Sequence, residues 1–324
     1  MPMSSPSPFE FLSDGTLSRR TFLAGAGATA LAGVSHLAGV SHNAWAQAKT
    51  PPKKEILERT LTTDDGRQLA ATYYKSVKGK DAPALILLHQ QGSSRLAWKI
   101  PMVDRLHEEG YAILTFDFRK HGEAGGGEKL GAHDYVGMVN DLETAKAFLV
   151  EEHEKGNLNI RKTGIVAPAM AAPIALVFTA ADWLRPPHDD APTFEASTPR
   201  GQDIRALILL SPNENLPGLG PQPSQAALTL KNPAFRVATL IGVGTKDKFD
   251  KGMKIARDIH KKIAGKDGDT DLNLFSKYET NARGTEMLER KLGLKVEDHI
   301  VGFFKKFVYD LKDEWRSRKS RLRS

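Results

Sequence analysis

The 324-residue chain contains no cysteine. Disulfide bonds, thiolate nucleophiles and thiolate metal ligands are therefore excluded, and stability must come from an ordinary packed core. The chain also lacks histidine pairs four residues apart and carboxylate clusters at the spacing of metal ligands. The glycine cluster Gly125-Gly126-Gly127 lacks the Lys-Ser/Thr pair of a phosphate-binding P-loop. From these absences we expect neither a bound metal nor a cofactor.

Positive charge is in modest excess and is concentrated at the C-terminal end. The formal net charge is +7, and residues 305–324 carry eight Lys or Arg against three Asp or Glu. Such a segment is typical of a solvated helix end followed by a frayed basic tail, because cations are favourable at a helix C-terminus. A surface for nucleic acid or anionic lipid is the alternative, but no RNA- or DNA-binding motif accompanies the charge. We therefore do not expect nucleic acid as a partner.

An export signal is predicted for residues 1–46. Arg19 and Arg20, followed by Phe22 and Leu23, open a weakly apolar, Ala/Gly-rich run, and residues 44–46 provide an A-x-A cleavage site. The paired arginines resemble a twin-arginine signal, which implies export of an already folded protein, often to the periplasm. A membrane-spanning helix is the alternative, but the run is too polar and rich in glycine. We expect cleavage after residue 46, a periplasmic location and no transmembrane segment in the mature chain.

Strand-like runs alternate with helix-like runs through the rest of the chain. Residues 58–63 and 69–75 flank Asp64-Asp65-Gly66 and predict a hairpin. Buried-type strands are then predicted at 84–88, 111–116, 163–167, 206–210, 239–243 and 272–276, and helices at 96–109, 134–152 and 250–264. This alternation predicts an α/β fold, a doubly wound, mostly parallel sheet flanked by helices without a large cap domain. We predict a linker at residues 47–57, one domain at 58–312 and a basic tail at 313–324.

Residues 162–172 have the pattern of a strand, a sharp turn and a helix. The turn reads Ala167-Pro168-Ala169-Met170-Ala171. Small flanking residues allow a strained elbow that holds a nucleophile above the edge of a sheet. Here the central residue is Ala169, whose methyl group can neither attack a carbonyl nor share a proton with a base.

Five segments together resemble the α/β-hydrolase superfamily, in particular its dienelactone-hydrolase-like and serine-aminopeptidase-like members. They are residues 87–93, 110–123, 163–172, 243–247 and 278–288. In that order they look like the oxyanion loop, the GYxVLxxDxRGHGES segment, the nucleophile elbow, the strand end that carries the acid, and the loop that carries the histidine. The resemblance covers nearly the whole mature chain and implies the α/β-hydrolase fold.

The resemblance places the family's serine, aspartate and histidine at Ala169, Asp247 and Arg283. Arginine stays protonated at any accessible pH, so it cannot replace histidine as a base. Because nucleophile and base are both replaced, we expect serine-hydrolase activity to be lost and the protein to act as a binding or accessory protein. The alternative is a hydrolase of small esters or lactones with a non-standard catalytic constellation. The side chains available for such a constellation are Ser93, Ser94, Ser211, His89, His121 and His133.

Backbone donors at the same place favour ligand binding. The N–H of Met170, together with one from Gln90 or Gln91, would form a small anion-binding nest, and Arg283 would add a fixed positive charge. This hypothesis predicts a pocket for a carboxylate or another small anionic or ester-like ligand. A salt bridge between Asp247 and Arg283 is the competing, purely structural outcome, and a tight one would weaken the anion-pocket hypothesis.

Overall fold

An eight-stranded sheet with helices on both faces forms the part of the chain that the structure describes. This computed structural model describes residues 55–125, 128–265 and 270–322. The strands are β1 (Glu55–Thr62), β2 (Gln68–Lys75), β3 (Ala84–Leu87), β4 (Ala112–Phe116), β5 (Thr163–Pro168), β6 (Ile204–Leu210), β7 (Ala238–Gly244) and β8 (Asn273–Tyr278). The α-helices are α1 (Pro101–Glu109), α2 (Ala132–Glu154), α3 (Ala171–Leu184), α4 (Gln222–Leu230), α5 (Lys254–Ala264) and α6 (Val296–Phe304).

The strand order in the sheet is β1-β2-β4-β3-β5-β6-β7-β8. The hairpin strands β1 and β2 are antiparallel to each other, and β2 is antiparallel to β4. The other five neighbouring pairs are parallel. Parallel neighbours need crossover connections, and helices supply them, so both faces of the central strands are covered. The predicted doubly wound, mostly parallel sheet is confirmed.

The central strands are buried on both faces, as their continuous apolar sequences predict. Every residue of β3, β4, β5 and β7 is buried. Helix α6 approaches the sheet closely at Gly164, where an added Cβ would lie 2.6 Å from the ring of Phe304. A side chain at this position would force the helix away from the sheet, because interiors are close-packed.

Several predicted boundaries differ from the structure. The helix predicted at 96–109 is two elements, a 3₁₀ turn at Arg95–Trp98 and α1, which starts at Pro101 because proline is favourable in a first helical turn. Helix α2 starts two residues before Asp134, whose carboxylate accepts a hydrogen bond from Gly131 N at 2.8 Å. Helix α4 lies in a Pro- and Gly-rich stretch for which no helix is predicted. Strand β1 begins at Glu55, inside the predicted linker.

The predicted export signal at residues 1–46 lies outside the described residues. Among the helices that the structure does describe, none is long and apolar enough to cross a membrane.

The end of the chain packs against the domain, which corrects the expectation of a frayed tail. Trp315 donates from its indole to His153 O at 3.1 Å, and the two rings lie 4.6 Å apart. Asp313 accepts from Arg205 at 2.6 Å. These contacts to the end of α2 and the start of β6 use an indole donor and a carboxylate, so the segment is held by specific partners and not by charge alone.

Arg318 anchors this segment in a buried group of four charges. Its guanidinium is paired with Asp203, which also lies 2.8 Å from the ammonium of Lys146. Lys146 is paired in turn with Asp182. The four side chains are at most 4 % exposed. Two positive and two negative charges balance here, as burial in a low-dielectric interior requires.

We expect Arg318→Ala to lower the free energy of unfolding by about 3 kcal/mol, because it removes one partner from a buried ion pair. Urea unfolding at neutral pH measures the change. Arg316→Ala is the matched control, since Arg316 is exposed, and its effect should stay within about 0.5 kcal/mol. Equal effects of the two substitutions would show that the segment is not anchored through Arg318.

Candidate functional site

The sharp turn between β5 and α3 has the geometry of a nucleophile elbow. Ala169 lies at φ 45°, a left-handed conformation that is uncommon for residues other than glycine. Its N–H donates to Leu210 O at 2.9 Å, and its carbonyl accepts from Asn213 N at 3.1 Å. These bonds attach the elbow to the end of β6. The turn therefore has the conformation predicted for an elbow, with Ala169 at its centre.

Asp247 and Arg283 form a tight ion pair beside the elbow. Arg283 donates from one guanidinium nitrogen to Asp247 Oδ2 at 2.7 Å and from the other to Asn213 Oδ1 at 2.5 Å. The second carboxylate oxygen of Asp247 accepts from Phe249 N at 2.8 Å. Asn213 thus links the elbow to the ion pair, and sequence reasoning missed it because no motif marks this position.

The charge of Arg283 is committed to these partners. Burial lowers the pKa of Arg283 from its usual value, and the neighbouring Asp247 opposes that shift. The guanidinium also lies 4.1 Å from the centre of the Phe249 ring. Asp247 offsets the charge, and two hydrogen bonds hold the group in place. The structure thus has the salt bridge between Asp247 and Arg283, which was the competing structural outcome. This salt bridge weakens the hypothesis that Arg283 supplies a free positive charge to a ligand.

Gln90 joins the loop after β3 to the loop that carries Arg283. Its Oε1 accepts from Thr285 N at 3.1 Å. Gly284 lies at φ 57°, and an added Cβ there would lie 1.8 Å from Gln90 Oε1. Only glycine suits this position, on both conformational and steric grounds. The structure therefore brings Gln90 and the Arg283 loop together, with Pro168 of the elbow strand 3.3 Å from the same Cβ.

The predicted backbone donors have no acceptor within the described parts of the chain. The N–H groups of Gln90, Gln91 and Met170 make no hydrogen bond to any described residue. Met170 directly precedes α3, so its N–H belongs to the unpaired first turn of a helix. Such donors can receive a ligand oxygen.

Both histidines near the elbow are engaged in backbone contacts. His89 is fully buried, accepts from Phe118 N through Nε2 at 3.0 Å and contacts Gln90 O through Nδ1 at 2.9 Å. Burial lowers the pKa of His89 to about 4. His121 Nδ1 lies 3.0 Å from Arg119 O. His89 is therefore a neutral link between two loops, with neither nitrogen free to act as a base.

The hydroxyl groups of Ser94 and Ser211 have structural partners. Ser94 caps a 3₁₀ turn by accepting from Leu96 N at 3.3 Å, and the backbone N–H of Ser93 donates to Gln90 O at 3.1 Å. Ser211 is fully buried, and its hydroxyl contacts Met287 Sδ at 3.2 Å. His133 lies on the surface at 3.3 Å from Asp134. These bonds of Ser93, Ser94 and Ser211 do not involve a histidine side chain.

No group of three His, Asp or Glu side chains within residues 55–125, 128–265 and 270–322 is placed to hold a metal ion.

Several solved structures are similar to this chain in fold. An esterase from Pyrococcus furiosus is 17% identical, with a TM-score of 0.56 over 79% of this chain and 92% of its own. A dienelactone hydrolase from Anabaena variabilis is 16% identical, with a TM-score of 0.52 over 79% of this chain and 99% of its own. An esterase domain from a Rhodothermus marinus protein is 15% identical, with a TM-score of 0.52 over 78% of this chain and 100% of its own. No protein-family model and no curated protein matches the sequence. The chain has the α/β-hydrolase fold.

We expect the stability contributed by His89 to fall as the pH falls. Its pKa is lower in the folded protein, about 4, than in the unfolded chain, about 6.5. The unfolded state therefore binds more protons between these values. Relative to His89→Gln, the wild type should lose about 1.4 kcal/mol per pH unit from pH 6.5 down to 4 and show no such loss above 6.5.

Urea unfolding of both proteins at several pH values tests this expectation. A flat difference between the two proteins would mean that His89 is not buried in its neutral form.

We expect Ala169→Gly to raise the free energy of unfolding by about 1 kcal/mol, because glycine adopts the left-handed conformation without steric cost. Ala172→Gly, three residues on in helix α3, should lower it by about 1 kcal/mol. Thermal or urea unfolding of the two variants gives the comparison. If both substitutions destabilise the protein equally, the elbow is not strained at residue 169.

Proposed function

We propose that this protein is an exported α/β-hydrolase-fold protein that has lost serine-hydrolase activity and serves as a binding or accessory protein. The observation that carries the proposal is the elbow itself. Ala169 keeps the left-handed conformation and both backbone hydrogen bonds of the turn. A conformation of this kind costs energy, and it persists where the surroundings enforce it. The turn is retained without a nucleophile.

Arg283 takes the position of the histidine that would activate the nucleophile. In this proposal it stabilises the loop and does not activate a water or hydroxyl group. A histidine in the position of Arg283 would exchange a proton near neutral pH, whereas arginine does not. Arg283 bonds Asp247 at 2.7 Å and Asn213 at 2.5 Å. Charge-assisted bonds of this type are among the stronger hydrogen bonds of proteins. In this proposal, the positions of the catalytic acid and base are occupied by a structural ion pair, Asp247 and Arg283.

The unpaired backbone donors indicate what the site would bind. Gln90, Gln91 and Met170 present N–H groups that bond no described residue, and such groups stabilise a carbonyl or carboxylate oxygen. Solved proteins of this fold include esterases and a dienelactone hydrolase. A small ester-like or anionic ligand, held by backbone donors and not by the charge of Arg283, is the ligand class we propose.

Export through the twin-arginine route, with a periplasmic location, rests on the N-terminal sequence. The paired arginines, the weakly apolar run and the A-x-A site support it. The absence of cysteine is compatible with export, since no thiol can be oxidised.

We expect the mature protein from Gln47 onward to hydrolyse short-chain activated esters and lactones only at the background rate. The double variant Ala169→Ser/Arg283→His should exceed that rate at least about tenfold, since Asp247 still occupies the acid position and the elbow is preserved. Initial rates with p-nitrophenyl acetate, p-nitrophenyl butyrate and a small lactone provide the measurement.

The single variants Ala169→Ser and Arg283→His are the matched controls, and each should remain near background because each lacks one member of the triad. Turnover by the wild type that is abolished by Ser93→Ala, Ser211→Ala or His121→Ala would contradict the proposal. It would favour a hydrolase with a non-standard constellation.

A further inference from the structure

A basic groove lies at the amino ends of β5 and β6, whereas the elbow lies at the carboxyl end of β5. Its wall includes Arg161, which precedes β5, and Gly201 and Gln202, which precede β6. The elbow follows the carboxyl end of β5. The six residues of β5 separate the groove from the elbow, a distance of roughly 20 Å at the usual rise per residue. The groove is thus a separate feature from the site where ligands of open α/β sheets normally bind.

Two irregular segments build the groove. One is the loop that connects α3 to β6, and the other is the C-terminal segment that Arg318 anchors. Asp190 joins them, because its carboxylate accepts from Thr198 N and from Arg321 N, at 2.8 and 2.9 Å. These two bonds lower the pKa of Asp190 to about 2. Arg321 also donates to Ala196 O at 2.9 Å. The groove is held in shape by specific bonds between its two walls.

The lining of the groove is strongly cationic. Five positively charged side chains line it against one carboxylate, that of Glu195. The five are Arg161, Arg185, Arg316, Lys319 and Arg321. The volume is about 700 Å³, which lies within the usual range for small-molecule sites.

Part of this charge has no carboxylate partner in the described chain. Arg185 is paired with Glu143 at 2.6 Å, and Arg161 shares Asp313 with Arg205. The side chains of Arg316 and Lys319 form no ion pair with a carboxylate of the described residues, whereas the charge of Arg321 acts on the nearby Asp190. Burial lowers the pKa of Arg161, and the nearby Arg318, Arg205 and Arg316 lower it further against the opposing effect of Asp313. Excess positive charge is therefore concentrated at the groove.

We propose that this groove binds a small phosphorylated compound with an aromatic or apolar part, at a site separate from the elbow. Four of the five cations are arginines, whose planar guanidinium groups bind phosphate oxygens through two parallel hydrogen bonds. The apolar part has a platform in Phe194, which lines the groove and is 65 % exposed. An aromatic ring stacks favourably on such a surface.

Isothermal titration calorimetry of the mature protein with ATP, without divalent metal, tests the proposal. We expect saturable binding at one site. Inorganic pyrophosphate, which has the charge without the ring, should bind more weakly, and adenosine, which has the ring without the charge, should not bind measurably. Citrate tests whether a polycarboxylate is accepted equally well.

Arg316→Ala/Lys319→Ala should weaken ATP binding at least about tenfold, because it removes two unpaired cations from the groove. Lys306→Ala/Lys312→Ala is the matched control. It removes the same charge from exposed positions of the same C-terminal region outside the groove lining, and it should change the affinity by less than about twofold. Phe194→Ala should weaken binding of ATP and leave binding of pyrophosphate unchanged. Ala169→Ser/Arg283→His should bind ATP like the wild type, whichever way the ester assays turn out.

Three results would overturn the proposal. The first is no saturable binding of ATP or pyrophosphate at millimolar concentration by a protein whose unfolding curve is normal. The second is an equal loss in both double variants, which would mean attraction by net charge alone. The third is binding of citrate with the same affinity as ATP. Groove-dependent binding of single-stranded DNA or of anionic phosphatidylglycerol vesicles, without binding of ATP, would overturn it as well.

Discussion

The attachment of the elbow to the end of β6 is the constraint on which the rest of this site depends. Ala169 donates to Leu210 and accepts from Asn213, so the turn after β5 and the turn after β6 form one unit. Asn213 then accepts from Arg283, and Arg283 bonds Asp247 after β7. The segments that follow four strands, β5, β6, β7 and β8, are connected in this way. Backbone hydrogen bonds and the ion pair hold this framework, with an alanine at the centre of the turn.

Charge in this protein is used mainly to hold separate segments together. Arg95 binds Asp117 at 2.7 Å and Arg119 binds Asp141 at 2.7 Å below the N-terminal hairpin. Arg318 enters a buried group of charges under the loop before β6. Buried pairs of this kind contribute little net stability compared with apolar packing, but breaking one is costly. They specify which segments dock where, and the segment docked through Arg318 forms one wall of the basic groove.

The strand pattern and the elbow were predictable because both follow from local sequence. Continuous apolar runs bounded by turns gave the parallel strands, and the small residues around Ala169 gave the turn. The register of the resemblance placed Asp247 and Arg283, which the structure brings together as an ion pair. Helix α4 was missed because its Pro- and Gly-rich surroundings indicate a loop, and packing against α3 overrides that local signal. The split before α1 was missed although Pro101 marks it.

The sequence by itself determined that serine chemistry is absent at residue 169, because no tertiary contact can give an alanine methyl a nucleophilic oxygen. It also determined the succession of the eight strands along the chain, since the hydrophobic patterns that mark them are local. Only the tertiary structure decided that Arg283 is clamped by Asp247 and Asn213, because Asn213 lies 70 residues away in the chain. Likewise the basic C-terminal residues appear frayed from composition alone. Their place in the groove depends on contacts such as that of Arg318 with Asp203, which lies 115 residues earlier in the chain. No local sequence pattern reveals such a contact.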